Sequence, residues 1–168
     1  KSVTALREVA ERSEVGIVAH FYMDPELQGV LASSGYGHVH LSDSLAMADR
    51  AVHMAREGAR AIVVLGVDFM AENVRAVLDT AGFGKTPVYR VATDPIGCSL
   101  AEAAETDEYL EWLRRAARRP NTLHVVYINT SLYTKAHAHA LVPTLTCTSS
   151  NVVSTVLEVF ASIPGVRL

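Results

Sequence analysis

The chain has 168 residues, 49% of them hydrophobic and 20% charged, with a net charge of −3 at pH 7. That balance is globular, excludes a disordered or fibrous chain, and provides no basic field for nucleic acid or a membrane surface. Two cysteines, Cys98 and Cys147, do not make a disulfide framework and point to a soluble protein in a reducing, intracellular setting.

Strands and helices alternate along the chain. VGIVAHFY (15–22) is a continuous apolar run of strand length, and Pro25 in the following MDPELQGVLASSG suits the first turn of a helix. HVHLSDS leads into LAMADRAVHMAREG, apolar at helical spacing and closed by Gly58. ARAIVVLGV and FMAENVRAVLDTAG form a third pair, and TPVYRVA a fourth strand. The longest apolar run, AIVVLGV, is far too short to cross a bilayer. At TDPIGCSL the pattern breaks, a helix is predicted from about Glu102 to Arg118, and alternation resumes with LHVVYINT, SLYTKAHAHAL, TLTCTS and SNVVSTVLEVFASI. Apolar strands alternating with helices predict α/β architecture, with parallel sheets covered on both faces. The break predicts two similar units, residues 1–97 and 98–168. The first residue is not Met, and the closing GVRL reads as the beginning of a strand, so the chain is taken as a piece of a longer protein.

The junctions between strand and helix read HFYMDPE, SDSL, GVDFMAEN, INTSL and CTSSN. In open parallel sheets the ligand crevice lies outside the carboxyl ends of the strands, where helix N-termini offer free N–H groups to an anion. Ser, Thr, Asp and Asn there are good helix caps in their own right. Several on one edge, beside His20, Tyr22 and Tyr127, predict a polar pocket for a small anion. Other features have plainer readings. His137 and His139 point in different directions on a helix, His38 and His40 on a strand lack a third ligand, and RRAARR is a solvated helix end. The four methionines and Trp112 sit at core spacing. Glycine-rich nucleotide-binding patterns do not occur.

AHFYMDPELQ, SDSLAMA, GVDFMAENVRAVL, GCSLAEA, YINTSLYTKA and CTSSNVV together resemble the quinolinate synthase family, closest in wording to its plant-type members, from about Val15 onward. The resemblance implies three pseudo-symmetric α/β domains, of which this chain holds a first and an incomplete second, the third being absent. It implies a four-iron, four-sulfur cluster held by three cysteines, with Cys98 the first ligand and two others beyond Leu168; Cys147 matches no ligand position. It also implies condensation of iminosuccinate with dihydroxyacetone phosphate to quinolinate in NAD biosynthesis. His20, Ser44, Tyr127, Ile128, Asn129 and Ser149 correspond to substrate contacts, and Tyr22 to a tyrosine in proton transfer and phosphate loss, with Tyr127 beside it as a second catalytic candidate. A sulfur-transfer partner, fused or separate, and a plastid location in a plant or alga (cytoplasmic otherwise) follow as expectations. With one thiol and no third domain, the chain alone is expected to be inactive. Two other readings use the same residues: a two-thiol, cofactor-independent amino-acid racemase with one cysteine in each half, and a non-enzymatic anion-binding module.

Overall fold

The run VGIVAH offers no polar face, and a strand without one must be covered on both sides. In the computed structural model of the protein, which describes residues 2–168, it forms β1 (Val15–His20), flanked by β2 (Val39–Ser42) and β3 (Ala61–Leu65). With β4 (Val88–Arg90) these make a four-stranded sheet of order β2-β1-β3-β4, parallel throughout. Alternate residues of β1 divide between the two faces. Ile17 and Ala19 join Ala10 of α1 (Ser2–Ser13), Leu31 of α2 (Pro25–Ser33) and Leu65 in one core cluster. On the opposite face, a Cβ on Gly16 would lie 2.7 Å from the sulfur of Met54 in α3 (Ser44–Arg56), so the absence of a side chain lets α3 approach the strand. α4 (Asp68–Thr80) packs beside α3, and Met47, Met54, Val74 and Leu78 are fully buried. Each such side chain contributes about 1.5–3 kcal/mol over leaving it in water. Placing β2 and β3 on opposite flanks of β1 with right-handed crossovers puts the covering helices on opposite faces.

The described residues divide into two compact units, the first ending at Ile96 and the second running Gly97–Leu168. The second contains α5 (Ser99–Ala103), α6 (Asp107–Ala117), β5 (His124–Tyr127), α7 (Leu132–Leu141), β6 (Thr144–Cys147) and α8 (Val152–Ser162). β5 pairs in parallel with β6, and a parallel bridge joins Thr122 to Arg167. A left-handed residue stands ahead of both β1 and β5, immediately before β1 and three residues before β5. Glu14 (φ 51°) and Asn121 (φ 56°) are both left-handed, and their carbonyls accept from Arg60 N at 2.7 Å and Arg167 N at 2.8 Å. The GVRL segment therefore begins a strand-like pairing, as its sequence predicts.

The α/β class with parallel strands agrees with the sequence reading, and four local features depart from it. The helix expected over Glu102–Arg118 is broken into α5 and α6, because the Thr106 hydroxyl accepts from Tyr109 N and starts a new helix with Asp107 and Glu108 in its first turn. Trp112, expected in the core, is 51% exposed: Leu113 takes the inward face of α6 at 0% exposure, and Trp112 is one step around the helix. α1 has no counterpart in the predicted elements. His38 lies outside β2 and meets Glu57 at 3.4 Å.

Glutamate in the left-handed region costs roughly 1 kcal/mol, and its exposed pairing with Arg60 at 3.4 Å contributes little. Glu14→Gly is therefore expected to raise unfolding stability by a few tenths to about 1 kcal/mol in denaturant titration, after glycine's own entropic cost. A clear loss would contradict the strained conformation at Glu14.

Candidate functional site

β1 and β5 end in turns built on one plan. After β1, Phe21 N donates to Ser42 O at 3.1 Å and Met23 N to His20 O at 3.1 Å. After β5, Ile128 N donates to Cys147 O at 2.8 Å and Thr130 N to Tyr127 O at 3.3 Å. A cap closes each turn: Asp24 accepts from Glu26 N and Leu27 N, and Ser131 accepts from Thr134 N. His20 and Tyr127 therefore occupy equivalent positions in their own units, as do Phe21 and Ile128, and Tyr22 and Asn129.

The first unit's edge carries His20, Tyr22 and Ser44. His20 is 8% exposed, and its Nδ1 accepts from Tyr22 N at 3.2 Å, which places the proton of the neutral ring on Nε2. Burial lowers its pKa, and the negative charge of Asp43 opposes that only in part, so the ring is neutral near pH 7. It stacks against Phe21 with ring centres 4.8 Å apart, and Tyr22 lies 4.9 Å away, with its side chain open to solvent. Asp43 caps α3 by accepting from Leu45 N and Ala46 N at 2.9 Å, leaving Ser44 as the buried first residue of that helix.

The second unit's edge carries Cys98, Tyr127, Ile128, Asn129 and Ser149. Cys98 immediately precedes α5, and Asn129 Nδ2 donates to its sulfur at 3.4 Å. Burial raises the thiol's pKa, but hydrogen bonds from Ala101 N, the Asn129 amide and Leu100 N outweigh burial and the opposing charge of Glu102, so the net shift is downward. A lowered thiol pKa suits a thiolate ligand or nucleophile. Tyr127 and Asn129, with Leu100, Tyr109, His124 and Thr130, line an open cavity of about 390 Å³. The Ile128 side chain is buried. Ser149 is exposed in the loop from β6 to α8, where Asn151 Oδ1 accepts from Thr148 N at 2.7 Å.

Several contributors escape the sequence reading. Gln28 Nε2 donates to Phe21 O at 3.0 Å and Met23 O at 2.6 Å, and Lys135 Nζ donates to Ile128 O at 2.9 Å and to Thr130 O. Tyr109 OH donates to His124 Nε2 at 2.9 Å, while His124 Nδ1 donates at 3.2 Å to the Thr144 hydroxyl, which itself donates to Val142 O. Burial holds His124 below its ordinary pKa. A Lys or Gln one turn into a helix resembles any solvated polar residue, so only its sequence spacing from the strand end could have marked it. His137, His139 and the RRAARR arginines are exposed, as expected.

Among the described residues, no group of three or more His, Cys, Asp or Glu is placed to hold a metal ion, and no helix is long and apolar enough to cross a membrane. The racemase reading requires one cysteine in each unit, but both lie within Gly97–Leu168, and Cys147 is buried with its pKa raised by that burial. These features define a parallel α/β protein whose acid–base groups sit at strand ends and whose one polarised thiol precedes a helix. The chain belongs to the quinolinate synthase family, matching the family described as quinolinate synthetase A protein (NadA) over residues 4–164. It is 61% identical over 168 residues to a chloroplastic quinolinate synthase of Oryza sativa subsp. japonica and 60% over 164 residues to one of Arabidopsis thaliana, covering 99% and 96% of this chain. A quinolinate synthase of Mycobacterium sp. (strain KMS) is 33% identical over 162 residues, which cover 96% of this chain. The chain spans 23% of the length of the plant relatives and 40% of the mycobacterial one.

Removing the Asn129 donor should raise the Cys98 pKa. In Asn129→Ala the pH profile of Cys98 alkylation is expected to move upward, with slower labelling near neutrality, while Cys147 stays slow in both proteins. An unchanged Cys98 profile would mean that the amide does not polarise the thiol.

Proposed function

We propose that this chain is part of a quinolinate synthase that condenses iminosuccinate with dihydroxyacetone phosphate, releasing phosphate and water, in NAD biosynthesis. The family match over residues 4–164 carries this reading. The geometry of the two strand-end turns supports the assignment of roles.

Iminosuccinate has two carboxylates and needs hydrogen-bond donors. His20 offers its Nε2–H and Ser44 a hydroxyl at the start of α3, where the helix dipole favours negative charge. Asn129 and Ser149 supply further amide and hydroxyl donors, and Ile128, buried in the same turn, is a further contact. Tyr22 takes part in proton transfer and in loss of phosphate: its phenol is solvent-facing, and the neutral His20 ring beside it can exchange protons near pH 7. Tyr127, at the equivalent position to His20, is a second proton-transfer group as well as a substrate contact.

Cys98 fits one thiolate ligand of a four-iron, four-sulfur cluster. It is partly exposed, its pKa is lowered, and three N–H groups point to its sulfur. When bound through three cysteines, such a cluster supplies a Lewis-acidic iron for the dehydration. The other two ligands are assigned to the remainder of the polypeptide. The chloroplastic names of the plant relatives support a plastid location, and a sulfur-transfer partner, fused or separate, belongs to the same proposal.

The test uses the complete polypeptide prepared without oxygen. Cys98→Ser is expected to abolish the cluster's visible absorbance and quinolinate formation together, because an alkoxide is a poorer iron ligand than a thiolate. Cys147→Ser should keep substantial turnover, and the 168-residue chain alone should stay colourless after treatment with iron and sulfide. Retention of both iron and turnover in Cys98→Ser would overturn the assignment.

A further inference from the structure

The two strand-end turns share a feature that hydrogen bonding along the backbone does not require. One turn into α2, the Gln28 amide reaches back to the carbonyls of Phe21 and Met23. At the same step in α7, the Lys135 ammonium reaches back to the carbonyls of Ile128 and Thr130. Gln28 and Lys135 stand at equivalent places: each main-chain N–H donates to the cap residue's carbonyl, Gln28 N to Asp24 O at 3.0 Å and Lys135 N to Ser131 O at 3.1 Å. Two chemically different side chains thus make the same pair of contacts on the same pair of carbonyls. The residue between each pair is a site candidate, Tyr22 in one turn and Asn129 in the other, and the residue preceding each pair is His20 or Tyr127.

We propose that Gln28 and Lys135 are positioning residues, each clamping its strand-end turn so that the candidate side chains on it point at substrate. The proposal rests on the synthase reading for its functional half and on the hydrogen bonds alone for its structural half. A carbonyl at a turn tip has no strand partner, and two such carbonyls facing one way are free to rotate with the peptide planes that carry the neighbouring side chains. A single donor bridging both removes that rotation. The ammonium of Lys135 has three donors and the amide of Gln28 two, so either group satisfies two carbonyls at once. What the clamp requires is a bridging donor at this position; positive charge is not required.

That equivalence sets the test. In the complete enzyme, Lys135→Met should raise the KM for iminosuccinate by about tenfold or more with a smaller effect on kcat, because the turn it loosens carries the binding groups Tyr127 and Asn129. Gln28→Leu should instead act mainly on kcat, by a similar factor, through Tyr22. The exchange variants Lys135→Gln and Gln28→Lys keep a bridging donor, and each should return to within about threefold of the parent. A readout independent of activity uses the same complete polypeptide. Amide hydrogen exchange across residues 127–131 should quicken about tenfold in Lys135→Met and stay at the parental rate in Lys135→Gln. Equal losses in Lys135→Met and Lys135→Gln, or unchanged exchange in Lys135→Met, would overturn the clamp. If the parent polypeptide makes no quinolinate, the synthase reading fails, and hydrogen exchange still decides the clamp.

Discussion

The rest of the structure depends on one strand end in each unit being tied to a parallel neighbour. β1 lies between β2 and β3 in a parallel ladder, and β5 pairs in parallel with β6, while Thr122 ahead of β5 bridges to Arg167. A ladder hydrogen bond at a strand end satisfies a donor and an acceptor at once, and in a buried setting breaking it costs the full desolvation of the orphaned groups. The chain therefore leaves such a strand at a defined residue and direction. Phe21 N still bonds Ser42 O, and Ile128 N still bonds Cys147 O, so the first turn residue remains tied to the neighbouring strand. Cap, clamp and helix follow from that anchor.

What the two turns share is a frame, and what differs is the chemistry mounted on it. HFY places an imidazole and a phenol two residues apart; YIN places a phenol and a carboxamide at the same two steps. The first pair suits proton transfer, with the His20 tautomer set by Tyr22 N. The second suits hydrogen bonding, and its amide also reaches the Cys98 sulfur, tying the turn to the polarised thiol within one unit. Function here lives in side chains grafted onto a repeated backbone, consistent with the general independence of fold and chemistry.

Continuous apolar strands, helical spacing and capping residues made the α/β class and most elements readable, because each reflects a local physical preference. Asp24, Asp43 and Ser131 act as the caps their residue types suggest. The internal repeat was only half legible: the alternation visibly restarts, but HFYMD and YINTS have no residue in common at equivalent positions, so their identical hydrogen bonding left no mark in residue identities. Gln28 and Lys135 were invisible for a related reason, since a long side chain reaching back to two carbonyls has no periodic signature. Glu14 runs against the usual expectation of glycine or asparagine for a left-handed residue. Trp112 was misplaced because helical spacing does not say which of two adjacent apolar residues, Trp112 or Leu113, turns inward. The site roles came from motif resemblance, which the spacing of polar residues alone could not have supplied.

The central claim is that groups on the strand-end turns, supported by the fold but not part of its core, carry the reaction. Quinolinate formation from iminosuccinate and dihydroxyacetone phosphate by the complete, oxygen-free enzyme, compared between parent and Tyr22→Phe, tests it most directly. Tyr22 is 80% exposed, so loss of its hydroxyl should leave folding and iron content unchanged while turnover falls by about a hundredfold or more. Parental turnover in Tyr22→Phe would contradict the account.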